Sequence, residues 1–200
     1  MMKKIIITTR YDKIGKFKEL RDNLDVKLSS LIEKLGYLPI LLPNNIKNLN
    51  TYINRISPNG IILSGGGDPA KKDLRKINEK KLIKFSIKKK IPILGICRGA
   101  QAINLHFGGK ILKVKNHVRK NHRIFGPIAK KEKIYTNSYH DYGIIKKSLA
   151  KNFYISGYSS DEVIESFYHK KFKILCIMWH PERYSNIRKF DKKIIKNFLS

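Results

Sequence analysis

Residues 91–107 read IPILGICRGAQAINLHF, and the reading of this stretch decides the fold. Ile91 to Ile96 is a short apolar run with a glycine near its end. That is the pattern of an interior strand in a parallel sheet, covered on both faces and so without polar alternation. From Arg98 to Phe107 the period changes, and Ala102, Ile103, Leu105 and His106 fall at helical spacing. Cys97 stands at the joint. A strand that turns abruptly into a helix presents the residue at the turn on the carboxyl edge of the sheet, as a nucleophile elbow does. Gly95 and Gly99 leave the turn and the neighbouring strand unobstructed. The helix from Arg98 directs its free N–H groups and positive dipole end at the sulfur. A cysteine in such a place is equally a buried, inert thiol until a partner is found for it.

The partner lies near the other end of the chain, in Ile174–Arg183, ILCIMWHPER. An apolar strand ends at Met178 and Trp179 and is followed by His180, Pro181 and Glu182. A cysteine nucleophile needs a base to share its proton, and the base needs a group that fixes its ring. His180 fits the first role and Glu182 the second, with Pro181 between them restricting one backbone dihedral. Taken alone, His-x-Glu is also the pattern of a surface pair at a strand end.

A third stretch, Ile61–Pro69 (IILSGGGDP), puts a glycine run directly after a strand. Backbone N–H groups there can approach a ligand with no side chain in the way, and acyl transfer to a thiol needs such donors for the oxyanion. The run lacks the GK[ST] ending of a phosphate-binding P-loop, and by itself it also reads as a flexible turn.

These blocks resemble the class I glutamine amidotransferases. GICRGAQ around Cys97 and WHPE at Trp179–Glu182 are its specific signatures when found together. IILSGGGDP, TNSYHDYGI (Thr136–Ile144) and DEVIESF (Asp161–Phe167) follow in family order across nearly the whole chain. The resemblance is narrower to free-standing γ-glutamyl hydrolases of the γ-glutamyl-GABA type, and within these to small bacterial enzymes that release glutamate from γ-glutamyl-CDP-amidate for capsular phosphoramidate. It implies Cys97 as nucleophile, His180 as base and Glu182 as its partner. Oxyanion N–H donors are implied at Gly65 or Gly66 and at Arg98. The glutamyl end of the substrate would meet Gly67, Gln101, Asn137, Ser138, Tyr139 and His140, with Ser138 and Tyr139 at its α-amino or α-carboxylate group. Where relatives carry His-Gln after the first histidine of the fourth block, this chain has Asp141-Tyr142, which alters the leaving-group side. The expected partner is a small anionic, nucleotide-bearing γ-glutamyl compound, with a separate synthetase possible in place of a fused one and no cofactor implied.

Two hundred residues suit one domain over 1–200 with a sizeable core. No apolar run is long enough to span a bilayer, and the start, MMKKIIITTRYD, reads as a first strand rather than a leader. With two cysteines, Cys97 and Cys176, at expected strand ends, a disulfide framework is not anticipated and a reducing cytoplasm fits. Lys and Arg number 43 against 15 acids, a net charge of +28. Because the lysines are spread along the chain among abundant Ile and Asn, all with A/T-rich codons, base composition accounts for them better than nucleic-acid binding does. No basic-aromatic nucleic-acid motif is present. Such a field still draws small anions.

Alternating strands and helices, with the late strands unbroken by helices, predict an α/β doubly wound, mainly parallel sheet with an antiparallel extension. Strands are expected at Lys3–Thr9, Tyr37–Leu42, Gly60–Ser64, Lys110–Lys115 and Glu132–Tyr139, and again at Phe153–Gly157, Asp161–Tyr168 and Phe172–Met178. Helices are expected at Val26–Leu35, within Asn44–Ile56 and Lys71–Lys90, and at Ile187–Leu199, while Tyr11–Asp25 reads as loop with a short helical turn. The two histidines of Asn116–Arg123 (NHVRKNHR) have no Cys or acid beside them, so a basic patch at the mouth of the site is expected there rather than a metal.

Overall fold

The computed structural model describes residues 1–130 and 132–200. In chain order the elements are β1 (Lys4–Thr8), β2 (Arg10–Ile14), β3 (Glu19–Asn23), α1 (Val26–Lys34), β4 (Leu38–Leu42), α2 (Leu49–Ile56), β5 (Gly60–Leu63), α3 (Leu74–Lys89), β6 (Ile93–Ile96), α4 (Arg98–His106), β7 (Leu112–Lys113), β8 (Val118–Ile124), β9 (Ile134–Tyr139), β10 (Tyr142–Gly143), β11 (Phe153–Tyr158), β12 (Ile164–His169), β13 (Ile174–Ile177) and α5 (Lys189–Leu199).

The main sheet has seven strands in the order β11-β12-β13-β6-β5-β1-β4. Five run parallel, and β12 and β11 extend the sheet antiparallel. The parallel strands other than the edge strand β4 are buried on both faces, and their alternate residues go to two cores. Ile6, Ile61, Leu63 and Ile93 pack with Leu49 and Ile53 of α2, Leu82 and Ile83 of α3 and Ile103 of α4. Ile5, Ile7, Ile62, Leu94 and Ile96 pack on the opposite face with Leu28, Leu31 and Ile32 of α1 and Ile195 and Leu199 of α5. The helices begin where polar side chains satisfy free N–H groups: Asp25 accepts from the Lys27 N–H and Asp73 from the Lys76 N–H. Gly36, at φ +90°, ends the first helix in the left-handed conformation that glycine adopts without penalty.

The register of the centre positions the site. Leu63 lies beside Gly95 and Ile96 beside Ile177, so β5, β6 and β13 end at one level of the sheet. The three segments that follow them, Ser64 with its glycines, Cys97 and Met178 leading to His180, therefore meet at one carboxyl edge. This is where ligands bind in open α/β sheets.

Two expectations fail. Tyr11–Asp25 is not loop with a helical turn but the β2–β3 hairpin, closed by Gly15 and Lys18 at positive φ with the Lys18 N–H donating to the Gly15 carbonyl. Its strands are polar on both faces, so no hydrophobic alternation marks them. Asp22 anchors it by accepting from the Asn44 backbone and the Thr9 hydroxyl. The strand expected over Lys110–Lys115 shrinks to β7 against β10, because the chain turns at Asn116, whose φ is +59°. Among the described residues no helix is long and apolar enough to cross a membrane.

Candidate active site

Cys97 adopts φ +50° and ψ −107°, a conformation that costs an ordinary residue about 1–3 kcal/mol. The surroundings hold it there. Its N–H donates to the Ile177 carbonyl at 2.7 Å, and its own carbonyl accepts from the Gln101 N–H. The two flanking glycines are obligatory for packing: a Cβ on Gly99 would lie 2.0 Å from the Leu63 carbonyl oxygen, and one on Gly95 would lie 2.8 Å from the Ala100 nitrogen. The α4 helix thus starts in backbone contact with β5, and its first N–H groups have no intrahelical acceptors.

His180 follows β13 and is buried. Asn137 of β9 holds its backbone from both sides, its Oδ1 accepting the His180 N–H and its Nδ2 donating to the His180 carbonyl, each at 2.8 Å. The ring Nδ1 lies 2.6 Å from Glu182 Oε1, within the short 3-10 turn that Pro181 begins. Burial alone would lower the imidazole pKa, but hydrogen bonds with the Cys97 sulfur and with Glu182, and the charge on both, push it up to about 9. Gly65 forms the floor under this ring. A Cβ there would stand 2.6 Å from His180 Cε1, so Gly65→Ala is expected to shift the buried ring, lower turnover about 10²-fold and destabilise the fold by about 1–3 kcal/mol. Steady-state kinetics beside a melting curve check this.

Gly66 and Gly67 have φ of +78° and +80°, and among the described residues the N–H groups of Gly65–Gly67 donate to no backbone carbonyl. A buried network fixes their loop. Arg75 donates to the Ser64 and Gly66 carbonyls at 2.7 and 2.8 Å and to Glu79 at 3.0 Å, and Glu79 also pairs with the Arg98 guanidinium. Burial lowers the Arg75 pKa to about 10, with Glu79 opposing the shift. Sequence reasoning missed this network. The Arg75–Glu79 spacing of four is its local signal, within the segment Lys71–Lys90 expected as a helix.

A cleft of about 270 Å³ opens over the sulfur. Of the expected site residues, Gly66, Gly67, Cys97, Arg98, Gln101, Tyr139, His140 and His180 line it, together with Asp141, Tyr142 and Arg183. Two expected substrate contacts do not fit. The Asn137 side chain is spent on the His180 backbone, and the fully buried Ser138 hydroxyl donates to the His117 carbonyl, so neither side chain reaches the cleft. Gln101 lines it but donates to the Tyr142 carbonyl at 2.6 Å, bracing that wall. The basic stretch 115–123 does not line the cleft. Residues 118–123 of it lie in β8 and are mostly exposed while His117 is buried, and among the described residues the exposed cation at the cleft is Arg183, stacked on Tyr139 at 4.3 Å. A larger hollow of about 780 Å³, between α1 and residues 181–187, does not include Cys97. The supposition that His117 lacks a neighbouring acid is also overturned, because the fold brings Asp161 and Glu165 against it.

A family profile described as "Glutamine amidotransferase class-I" matches residues 20–200. The chain is 37% identical over 149 residues to a gamma-glutamyl-CDP-amidate hydrolase of Campylobacter jejuni, spanning 70% of this chain and 69% of that protein. It is 32% identical over 191 residues to anthranilate synthase component 2 of Cyanophora paradoxa, spanning 90% of this chain and 97% of that one. A crystal structure of a Thermoplasma acidophilum protein described as a GMP synthase subunit superposes with a TM-score of 0.74 at 25% identity, covering 100% of this chain and 93% of the other.

Proposed function

Since the chain belongs to the class I glutamine amidotransferase family, we propose that it hydrolyses a γ-glutamyl amide through a thioester on Cys97. The observation that carries this reading is Cys97 at its strained positive-φ turn, lining one cleft with an imidazole whose Nδ1 Glu182 holds. His180 takes the thiol proton as the sulfur attacks the γ-carbonyl carbon, and the C–O electron pair moves onto oxygen. Backbone N–H groups of Gly65 or Gly66 and of Arg98 receive that oxyanion, each worth about two to three orders of magnitude in rate. His180 passes its proton to the leaving nitrogen as the C–N bond breaks. It then takes a proton from water as the water attacks the thioester, releasing glutamate and restoring the thiol. Tyr139, His140 and Gly67 line the space left for the glutamyl group. No cofactor has a part in these steps, and two free cysteines suit a reducing cytoplasm.

For the leaving group we favour a cytidine diphosphate amidate. The similarity to the Campylobacter hydrolase and the strongly cationic chain support it, and Arg183 is the group at the cleft able to meet a phosphate. A second reading, a glutaminase component serving a synthetase, is favoured by the similarity to anthranilate synthase component 2. Glutamate release measured from γ-glutamyl-CDP-amidate, γ-glutamyl-GABA and glutamine separates them. The isolated chain is expected to prefer the nucleotide amidate by at least ~10²-fold in kcat/KM. Equal or better use of γ-glutamyl-GABA or glutamine overturns the substrate, and activity that appears only with a co-purifying synthetase replaces it with the second reading.

A further inference from the structure

At the wall of the cleft that His140 lines, three elements bring buried imidazoles and a carboxylate together: His117 just before β8, His140 just after β9 and Glu165 in β12. His117 Nδ1 and His140 Nε2 lie 3.3 and 3.4 Å from the same oxygen, Glu165 Oε1. One ligand atom from each residue falls within 4.8 Å of the other two. Apart from these two imidazole–carboxylate contacts, neither carboxylate oxygen of Glu165 and neither ring nitrogen of His140 has a hydrogen-bond partner among the described residues, although both side chains are almost wholly buried. A carboxylate so placed is costly unless something neutralises it.

From these contacts we infer that His117, His140 and Glu165 form a structural site for one divalent metal ion of the zinc class. The donor set of two imidazoles and one carboxylate suits that ion. Tetrahedral bonds of about 2.0–2.1 Å place neighbouring ligand atoms roughly 3.3–3.4 Å apart, and two of the three edges already have that length. The supporting residues also fit. His117 Nε2 faces Asp161 Oδ2 at 3.0 Å, and the Ser159 hydroxyl donates to the other oxygen of that carboxylate. A proton on Nε2 leaves the Nδ1 lone pair free for metal, the carboxylate–histidine–metal arrangement. Glu165 and Asp161 together balance a dication in a chain that has only 15 acids. The site ties the β8–β9 hairpin to the main sheet through β12. It supplies no step of the proposed hydrolysis.

The test uses the Cys97→Ser chain, so that the thiol and His180 do not compete for metal. After chelator treatment, zinc is titrated against a chromophoric competitor, and crystals grown with zinc are measured at the zinc absorption edge. We expect one ion per chain with Kd below ~1 µM and an anomalous peak about 2.0–2.2 Å from the three ligand atoms. Glu165→Gln should abolish binding. Asp161→Asn, which keeps an acceptor beside His117 Nε2 at a half-exposed side chain, should weaken it about 10–100-fold. Absence of saturable binding, a peak elsewhere, or affinity unchanged in both variants overturns the site.

Discussion

Replacing Cys97 by alanine is expected to lower glutamate release by about 10⁴-fold or more, the scale on which an enzyme loses its covalent nucleophile. The thermal midpoint should hold or rise, because alanine keeps the buried volume nearly filled and the strained turn is set by the Ile177 and Gln101 backbone contacts. The same variant tests the electrostatics. After burial, which lowers the His180 pKa, the largest influence is the hydrogen bond with the Cys97 sulfur, which raises it. With the sulfur removed, that influence and its charge vanish while Glu182 remains. The ring should therefore titrate below its parent value of about 9, as read from the imidazole NMR signals. Retained turnover in this variant sinks the thioester route, and an unmoved titration removes the sulfur–imidazole contact from it.

The second large effect lies away from the sulfur. Glu79→Gln leaves the buried Arg75 and Arg98 guanidiniums without their shared counter-ion. Breaking a buried pair in this way costs about 3–5 kcal/mol, which for a chain of this size lowers the melting midpoint by roughly 10 °C. Turnover should fall as well, since Arg75 holds the Ser64 and Gly66 carbonyls and Arg98 opens the α4 helix. Labelling of Cys97 by iodoacetamide should persist, separating a displaced glycine loop from a lost nucleophile. A melting midpoint equal to the parent's shows that the network does not stabilise the fold.

The centre of this protein is legible in its sequence because the change of period at Cys97 and the apolar strand before His180 are local signals. Buried parallel strands announce themselves by apolar runs, and Gly36 marks a helix end. What escaped reading depends on contacts between distant segments. The β2–β3 hairpin has polar faces on both sides and so no alternation to find. Asn137 and Ser138 look like substrate ligands in one dimension, yet the fold gives them backbone partners at His180 and His117. His117 looks isolated in NHVRKNHR because its acids come from the segment around Asp161–Glu165, which only the antiparallel end of the sheet brings alongside. Gly65 shows its purpose only when the imidazole lies on it.

The doubled Asn137 contact makes the base a shared possession of two modules. The sheet alone delivers a sulfur at its rim, while the orientation of residue 180 is underwritten by a ribbon that forms from a different part of the chain. Competence thus belongs to neither ribbon nor sheet alone but to the contact between them.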